Sequence, residues 1–314
     1  MAYKALLFGK EESIKKTFPF YEREALHGGF ELVALAGLKD DAVNFVYRDG
    51  RQGDLKDIPS FDFVILSSKN NLYHLMKRLE TFGVARDKII DGRVFEMPNL
   101  DFSRFLKERI AYGVLEGETF DSNSRMIYPK VYKTKNGRIK LTLGTKSYIR
   151  PGSVLDGKGL ITLGKYSSFA TKIFFSLGKN ASHNYLNVGT IPMTSLDWPF
   201  PKKFWPAQGV CKIEIGSDVW CGRGTTFKCT NPLKPLIIGD GAVIASDSVV
   251  VKSIPPYAIV GGNPAQIIKY RFPPHVIEAL LRIKWWDWSL DKIHDNFKYF
   301  NDVEKFISLH DKED

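Results

Sequence analysis

Apolar residues recur at every sixth position along the second half of the chain. Two uninterrupted runs have this spacing: Ile215, Cys221 and Phe227, followed by Ile238, Ile244 and Val250. Small residues follow several of them, at Gly216, Gly222, Gly239 and Ala245. Neither the helical nor the strand period gives a strict repeat of six, but a coil with three flat sides does. The pattern predicts a triangular β-coil whose apolar residues point inward and whose small residues turn the corners.

The same six-residue phase covers an earlier stretch and has two interruptions. It begins at Leu143, Ile149 and Leu155, shifts near residues 157–159, and returns at Leu163, Phe169 and Phe175. Regularity stops between residues 178 and 210, and a loop this long inside a compact repeat is usually functional. A shorter bulge is expected at residues 231–235. The β-coil is therefore predicted to span residues 126–271, with an inserted loop at 178–210.

Residues 1–98 carry a different pattern, in which short apolar runs alternate with amphipathic segments. The runs at 5–8, 30–36, 63–68 and 89–91 are typical of strands, and one side of a helix is marked by Leu72, Leu75, Met76 and Leu79. Strands that alternate with helices indicate a parallel sheet, so we predict an α/β domain here. A helical connector is expected at 99–125 and C-terminal helices at 272–314, where Pro273 and Pro274 suit a helix start.

Composition and charge narrow the class of protein only slightly. A chain of 314 residues with 44% hydrophobic content allows two domains, each with its own core. Much of the formal net charge of +10 lies between residues 130 and 150, which suits an anionic ligand or surface. No nucleic-acid-binding motif accompanies that charge, so we expect no nucleic-acid partner.

The cysteines and the apolar runs bear on the cellular compartment. Cys211, Cys221 and Cys229 lack metal-ligand spacing, and Cys221 fits a small core position. The sequence has neither a signal-peptide layout at its start nor an apolar run long enough to span a bilayer. We therefore expect a cytoplasmic protein with peripheral membrane association at most.

Two short elements give the repeat a family resemblance. Asp218-Val219-Trp220 lies in its centre, and a run over residues 253–265 closes it with Gly262-Asn263-Pro264-Ala265. Together with the in-phase repeats, these elements resemble the hexapeptide-repeat acyltransferases, in particular the xenobiotic (or streptogramin) acetyltransferase branch. The resemblance implies a left-handed parallel β-helix, acetyl-CoA as cofactor, and a homotrimer with cofactor clefts between neighbouring coils.

The N-terminal α/β domain resembles a second group by its layout. Bacterial sugar acetyltransferases carry a Rossmann-like N-terminal domain that holds the sugar nucleotide. Here the turn after the first strand reads Gly9-Lys10-Glu11-Glu12-Ser13, which departs from the glycine pattern of such domains. Two glutamates at that place would repel a pyrophosphate. A structural or docking domain that binds no nucleotide is therefore the alternative for residues 1–98.

The candidate catalytic residue is a histidine in the inserted loop. Of the six histidines, only His183 lies within the β-coil region. Its neighbourhood, Asn180-Ala181-Ser182-His183-Asn184, resembles the Asn-His loop that carries the catalytic base of the family. A neutral imidazole suits proton removal from an acceptor near neutral pH. The β-helical carbonic anhydrases need three histidine ligands for zinc, so we expect no metal site.

The resemblance also assigns cofactor and acceptor contacts to residues of this chain. Trp220 would lie near the cofactor cleft, although a packing role is equally compatible, and the amide of Gly222 would bind the thioester carbonyl. Ala245 and Ser246 would leave room for the pantetheine arm. Three basic side chains would pair with the phosphates, with a solvated surface charge as the alternative for each: Lys252, Lys269 and Arg271. The expected acceptor contacts are Asn184, Trp198 and Trp205.

These observations predict an acetyl-CoA-dependent acetyltransferase that acts by direct attack of the acceptor in a ternary complex. The expected acceptor is a sugar hydroxyl of a surface polysaccharide or of its lipid- or nucleotide-linked precursor. Two other functions stay open. The chain could N-acetylate a nucleotide-linked amino sugar, or it could be a non-catalytic β-helical scaffold that binds a glycan or a partner.

Overall fold

The chain folds into two compact units, Met1–Lys107 and Glu108–Asp314. The computed structural model describes residues 3–28, 30–39, 42–47, 52–53, 60–67, 71–116, 119–122, 126–178, 188 and 209–311. Each unit has its own sheets and its own buried core.

The first unit is built around one six-stranded sheet. Its elements are, in chain order, β1 (Tyr3–Lys10), α1 (Glu11–Gly28), β2 (Phe30–Lys39), β3 (Ala42–Tyr47), β4 (Gln52–Gly53), β5 (Phe63–Leu66), α2 (Leu72–Thr81), β6 (Ile89–Asp91) and α3 (Phe102–Glu108). The strand order is β4-β3-β2-β1-β5-β6. Strands β2, β1, β5 and β6 are parallel, as the alternating pattern predicts. The antiparallel edge formed by β3 and β4 is an addition that the sequence analysis missed. The Rossmann-like assignment of residues 1–98 stays a prediction.

The expected helical connector over residues 99–125 is wrong in its second half. Helix α3 belongs to the first unit, where the ring of Phe102 packs 5.0 Å from that of Phe95. Strands β7 (Ala111–Leu115) and β8 (Thr119–Ser122) follow it. Side chains of β7 alternate between buried and more exposed, which is the strand period, so this part of the expected connector is a strand.

The second unit is a parallel β-helix with three stacks of strands. Its strands are, in chain order, β9 (Lys130–Thr134), β10 (Ile139–Leu143), β11 (Tyr148–Gly157), β12 (Gly159–Leu163), β13 (Ser168–Phe169), β14 (Phe174–Leu177), β15 (Cys211–Ile215), β16 (Trp220–Cys221), β17 (Thr226–Cys229), β18 (Leu236–Ile238), β19 (Val243–Ile244), β20 (Val249–Val250), β21 (Ala258–Gly262) and β22 (Ala265–Tyr270). The first stack is β10-β12-β15-β18, and the second joins the start of β11 to β13, β16, β19 and β21. The third joins the end of β11 to β14, β17 and β20.

The six-residue phase of the sequence corresponds to the interior of this coil. All twelve apolar residues that define the phase, from Leu143 to Val250, are at most 4% exposed. Three aromatic rings fill the middle, with the centroids of Phe175 and Phe227 5.3 Å apart and those of Phe169 and Phe227 5.9 Å apart. The interior packing therefore explains why the repeat is visible in the sequence.

The end of the β-helix carries an antiparallel strand and a helical cap. Strand β22 turns back along β21, and three helices follow it: α4 (Pro274–Ile283), α5 (Leu290–Asn296) and α6 (Val303–His310). Pro273 and Pro274 begin α4, as the sequence predicts. Trp286, Val276 and Phe306 are buried in one cluster of this cap. Among the described residues, no helix has both the length and the apolar character that crossing a membrane requires.

Candidate active site

Four of the residues assigned from the sequence lie outside the described part of the chain. They are His183, Asn184, Trp198 and Trp205. Their roles therefore remain predictions. The inserted loop leaves the coil after β14 and returns at β15, at the corner between the third and first stacks. The amide of Gly178, at its start, donates a hydrogen bond of 2.9 Å to the carbonyl oxygen of Cys229 in the next coil.

Trp220 points away from the β-helix and is 62% exposed. Its neighbour Cys221 points inward, so the strand alternation turns the indole outward. In the second stack it lies between Ser168 and Val243 of the adjoining coils. An indole this exposed buries little surface in its own chain, so packing within the described residues does not account for it.

Gly222, Ala245 and Ser246 meet at the corner between the second and third stacks. A Cβ on Gly222 would lie 2.5 Å from the backbone nitrogen of Ser246, so only glycine allows the two coils this approach. Ala245 and Ser246 are exposed. This corner combines close coil contact with an open outer surface, which suits the passage of a narrow pantetheine arm.

The structure corrects the role given to the amide of Gly222. That amide donates a 2.8 Å hydrogen bond to the carbonyl oxygen of Ile244, because the ladder between the coils continues through it. The Ala245 amide is engaged in the same way with Val260, at 2.9 Å. The Ser246 amide has no partner within the described part of the chain. Ser246 therefore replaces Gly222 as the candidate backbone donor.

The guanidinium of Arg271 is half-buried and contacts residues of the β-helix. Its Nη1 lies 3.1 Å from Oδ2 of Asp218 and 2.8 Å from the carbonyl oxygen of Gly241. The guanidinium also lies over the ring of Tyr257, at 5.1 Å. Burial raises the pKa of the Asp218 carboxyl, and the charge of Arg271 offsets part of that rise. Both hydrogen bonds use Nη1, so contact of Arg271 with the phosphates of a cofactor stays a prediction.

The two remaining basic residues are exposed at different places. Lys269 is on β22, in register with Ile259 of the second stack. Lys252 follows β20, at the corner between the third and first stacks. One chain therefore does not bring all the assigned cofactor residues together. The exposed indole, the unpaired amide and the exposed ammonium groups nevertheless fit the chemistry of a thioester carrier that bears phosphates.

No group of three metal-ligating side chains occurs among the residues that the structure describes. The link between Asp218 and Arg271 is a feature that the sequence analysis missed. Asp218 opens the first of the two motifs that carry the family resemblance, whereas Arg271 lies 53 positions further along, after the second motif has ended at Ala265.

Comparisons with known proteins show which class of protein this chain resembles. No protein-family model matches the chain. It is 35% identical to a probable macrolide acetyltransferase of Lysinibacillus sphaericus over 162 residues, which cover 49% of this chain and 86% of that protein. It is 36% identical to a chloramphenicol acetyltransferase of Klebsiella aerogenes over 210 residues, which cover 66% of this chain and 84% of that protein. A putative lipopolysaccharide biosynthesis O-acetyl transferase of Escherichia coli is 32% identical over 109 residues, 35% of this chain and 50% of that protein.

Two solved structures overlap part of the chain. The polySia-specific acetyltransferase NeuO aligns with a TM-score of 0.34 and 21% identity, covering 52% of this chain and 62% of that one. A hexapeptide-repeat acetyltransferase of Vibrio cholerae, in complex with acetyl-CoA, aligns with a TM-score of 0.32 and 25% identity, covering 42% and 61%.

The fold and the relatives together define an acetyltransferase built on a repeating β-coil. The chain belongs to the hexapeptide-repeat acetyltransferases, within the xenobiotic (or streptogramin) branch, and its cofactor is acetyl-CoA.

Proposed function

We propose that the chain transfers the acetyl group of acetyl-CoA to a sugar hydroxyl of a surface polysaccharide or of its lipid- or nucleotide-linked precursor. The observation that carries this proposal is the exposed surface at the corner between the second and third stacks. There the exposed indole of Trp220 and the unpaired amide of Ser246 belong to neighbouring coils. The relationship to a putative lipopolysaccharide biosynthesis O-acetyl transferase supports a sugar acceptor.

Each assigned residue has a distinct part in the proposed reaction. Acetyl-CoA supplies an acyl group already activated as a thioester. His183 takes the proton of the acceptor hydroxyl while the hydroxyl oxygen attacks, and returns it to the leaving sulfur. The Ser246 amide donates to the acyl oxygen as negative charge develops there. Lys252 and Lys269 pair with the cofactor phosphates. The acceptor is held by Asn184, Trp198 and Trp205.

A second acceptor class is favoured by a specific observation. Two relatives, of which this chain covers 86% and 84%, are named as a probable macrolide acetyltransferase and a chloramphenicol acetyltransferase. The same base and the same donor would serve a hydroxyl of an antibiotic. Acceptor recognition would then differ, because a macrolide or chloramphenicol presents a larger apolar surface than a sugar does.

The test is acceptor-dependent release of free CoA from acetyl-CoA by the purified protein. The panel contains neutral oligosaccharides, UDP-linked amino sugars, a macrolide and chloramphenicol, and a reaction without acceptor is the blank. We expect the greatest release with a sugar hydroxyl. The product should lose its acetyl group in hydroxylamine, which cleaves esters and spares amides. A hydroxylamine-resistant product would indicate N-acetylation, and release with antibiotics alone would replace the sugar proposal. No release together with no binding of acetyl-CoA would favour the scaffold.

A further inference from the structure

A cavity of about 610 Å³ opens in the first unit, and none of the residues that line it is assigned to acetyl transfer. It lies at the carboxyl ends of the parallel strands: Lys10 ends β1, Ser67 follows β5, and Arg93 follows β6. Strand β1 has β2 on one side and β5 on the other, so the chain reverses its direction of winding there. Open parallel sheets bind ligands in the crevice at such a switch point.

Hydroxyl and amide groups line the inner part of this cavity. The hydroxyls of Thr17 and Ser67 are hydrogen-bonded to each other, and Thr17 Oγ1 donates to the carbonyl oxygen of Ser13 at 2.8 Å. Asn71 precedes α2 with a left-handed φ of 61°, and its side chain makes no capping hydrogen bond to that helix. The side-chain amide of Asn71 therefore lines the cavity and is not used to cap the helix. These groups can exchange hydrogen bonds with several ligand hydroxyls.

The charges of the lining leave a small positive excess. Arg93 forms two hydrogen bonds with the fully buried carboxylate of Asp91, at 2.8 and 2.6 Å, so this pair is neutral as a unit. The other lining charges are the ammonium groups of Lys10 and Lys16, both exposed, and the carboxylate of Glu96. Two positive charges against one negative charge suit a ligand with a single anionic group.

The backbone near the cavity argues against a dinucleotide. Glu11 and Glu12 occupy the first turn of α1, so negative charge screens the helix end that would otherwise attract a pyrophosphate. A Cβ on Gly9 would lie 2.6 Å from the carbonyl oxygen of Ser67, which shows that Gly9 serves the contact between two strand ends. An anion in this cavity would therefore be held by lysine side chains and not by backbone amides.

We propose that this cavity binds a small polyhydroxylated ligand with one anionic group, that is, a monosaccharide that carries a carboxylate or a phosphate monoester. The hydroxyls and Asn71 bind the sugar hydroxyls, Glu96 accepts from one of them, and Lys10 and Lys16 pair with the anion. The ring of Phe20, which also lines the cavity, offers an apolar wall for one face of the sugar. Its lining residues have no part in the proposed acetyl transfer, so the binding test does not require that the acceptor be known.

Isothermal titration of the full chain tests this proposal. The probes are glucuronate and glucose 6-phosphate, compared with glucose, inorganic phosphate and UDP. We expect at least one anionic sugar to bind about tenfold more tightly than glucose or phosphate, with an affinity that falls as salt is added. If glucose binds as tightly as the anionic sugars, the site does not recognise the anionic group. If phosphate binds as tightly as they do, the site does not recognise the sugar. Tighter binding of UDP, or no binding of either anionic sugar, would overturn the proposal.

Two lysines on the same helix provide a matched comparison. Lys16 lines the cavity, whereas Lys15 is exposed, absent from the lining, and paired with Glu11 at 2.7 Å. We expect Lys16→Gln and Lys10→Gln each to weaken anionic-sugar binding about tenfold, as the loss of one charge-assisted hydrogen bond would. Lys15→Gln should bind as the wild type does. Equal weakening by Lys15→Gln, or full affinity in both cavity variants, would contradict the site.

Discussion

At the scale of single residues, Gly222 and Ser246 lie at the same corner of the β-helix, but their backbone amides have different roles. The glycine is required for coil contact, and its amide is part of the ladder. The serine one coil further on contributes an amide that no described residue uses. A β-helix can therefore present a donor only where its ladder is interrupted, and that place cannot be read from the six-residue repeat.

Replacing Ser246 by proline removes this amide hydrogen, whereas replacing it by alanine changes only the side chain. If the amide stabilises charge at the acyl oxygen, kcat should fall about 10²-fold in Ser246→Pro. Ser246→Ala should keep most of the activity. Steady-state rates of CoA release, corrected for the folded fraction from thermal melts, measure the difference. Equal activity in the two variants would remove the Ser246 amide from the mechanism.

At the scale of elements, buried hydroxyls join consecutive coils at the corner between the first and second stacks. Ser167 Oγ donates to the carbonyl oxygen of Gly216 at 2.9 Å and accepts from the amide of Val219 at 3.1 Å. Ser147 makes the equivalent bond in the preceding coil, where its Oγ accepts from the amide of Ser167 at 2.9 Å. These side chains satisfy backbone groups that the turn between two stacks leaves without a ladder partner.

Ser167→Ala should lower the free energy of unfolding by about 1–3 kcal/mol, because a buried amide and a buried carbonyl lose their partner. Ser308→Ala is the control, since Ser308 lies exposed on α6 and bonds only the carbonyl of Lys305. Urea denaturation measures both variants. A loss in Ser167→Ala no larger than in Ser308→Ala would mean that water or a backbone shift replaces the serine.

The ion pair between Asp218 and Arg271 ties the β-helix to its helical cap. At neutral pH, Arg271→Ala leaves the half-buried carboxylate of Asp218 without this partner and should cost about 1–3 kcal/mol of unfolding free energy. Burial already raises the pKa of Asp218, and removing the arginine raises it further, so acid should protonate Asp218 and relieve the variant. The difference between wild type and variant should therefore shrink as the pH falls from 7 to 4.

Denaturation at both pH values measures this effect. The exposed pair Lys165–Asp287 provides the control, because Lys165→Ala should cost at most about 1 kcal/mol. An equal loss at pH 7 and pH 4 in Arg271→Ala would show that the unpaired carboxylate is not the cause.

At the scale of the whole molecule, the features that could be predicted from the sequence are those whose side chains are buried. The coil interior was predictable because each sixth side chain is enclosed, so its apolar character repeats. Strand β22 was not, because none of its side chains is buried and no period marks it. The pairing of Arg271 with Asp218 depends on a return of the chain over many residues, which no local pattern encodes. The same holds for the cavity in the first unit, because its lining combines helix α1 with residues at or after the ends of three strands.

The assembly is a prediction at this scale. Several apolar side chains of the β-helix unit are exposed in the single chain: Trp220, Ile237, Val251, Ile267, Ile268 and Tyr270. Exposed apolar surface of this extent is typical of an interface. We expect a homotrimer, with a mass in sedimentation equilibrium three times the 35.6 kDa of one chain. A monomer at micromolar concentration would contradict this assembly and the expected cofactor cleft between chains.

We propose that this acetyltransferase uses His183 as its general base. The most direct measurement compares acceptor-dependent CoA release by the wild type and by His183→Ala. His275→Ala is the matched control, because His275 is exposed on α4. We predict a loss of at least about 10²-fold in His183→Ala and a wild-type rate in the control. Equal rates in all three proteins, with the best acceptor bound, would contradict the account.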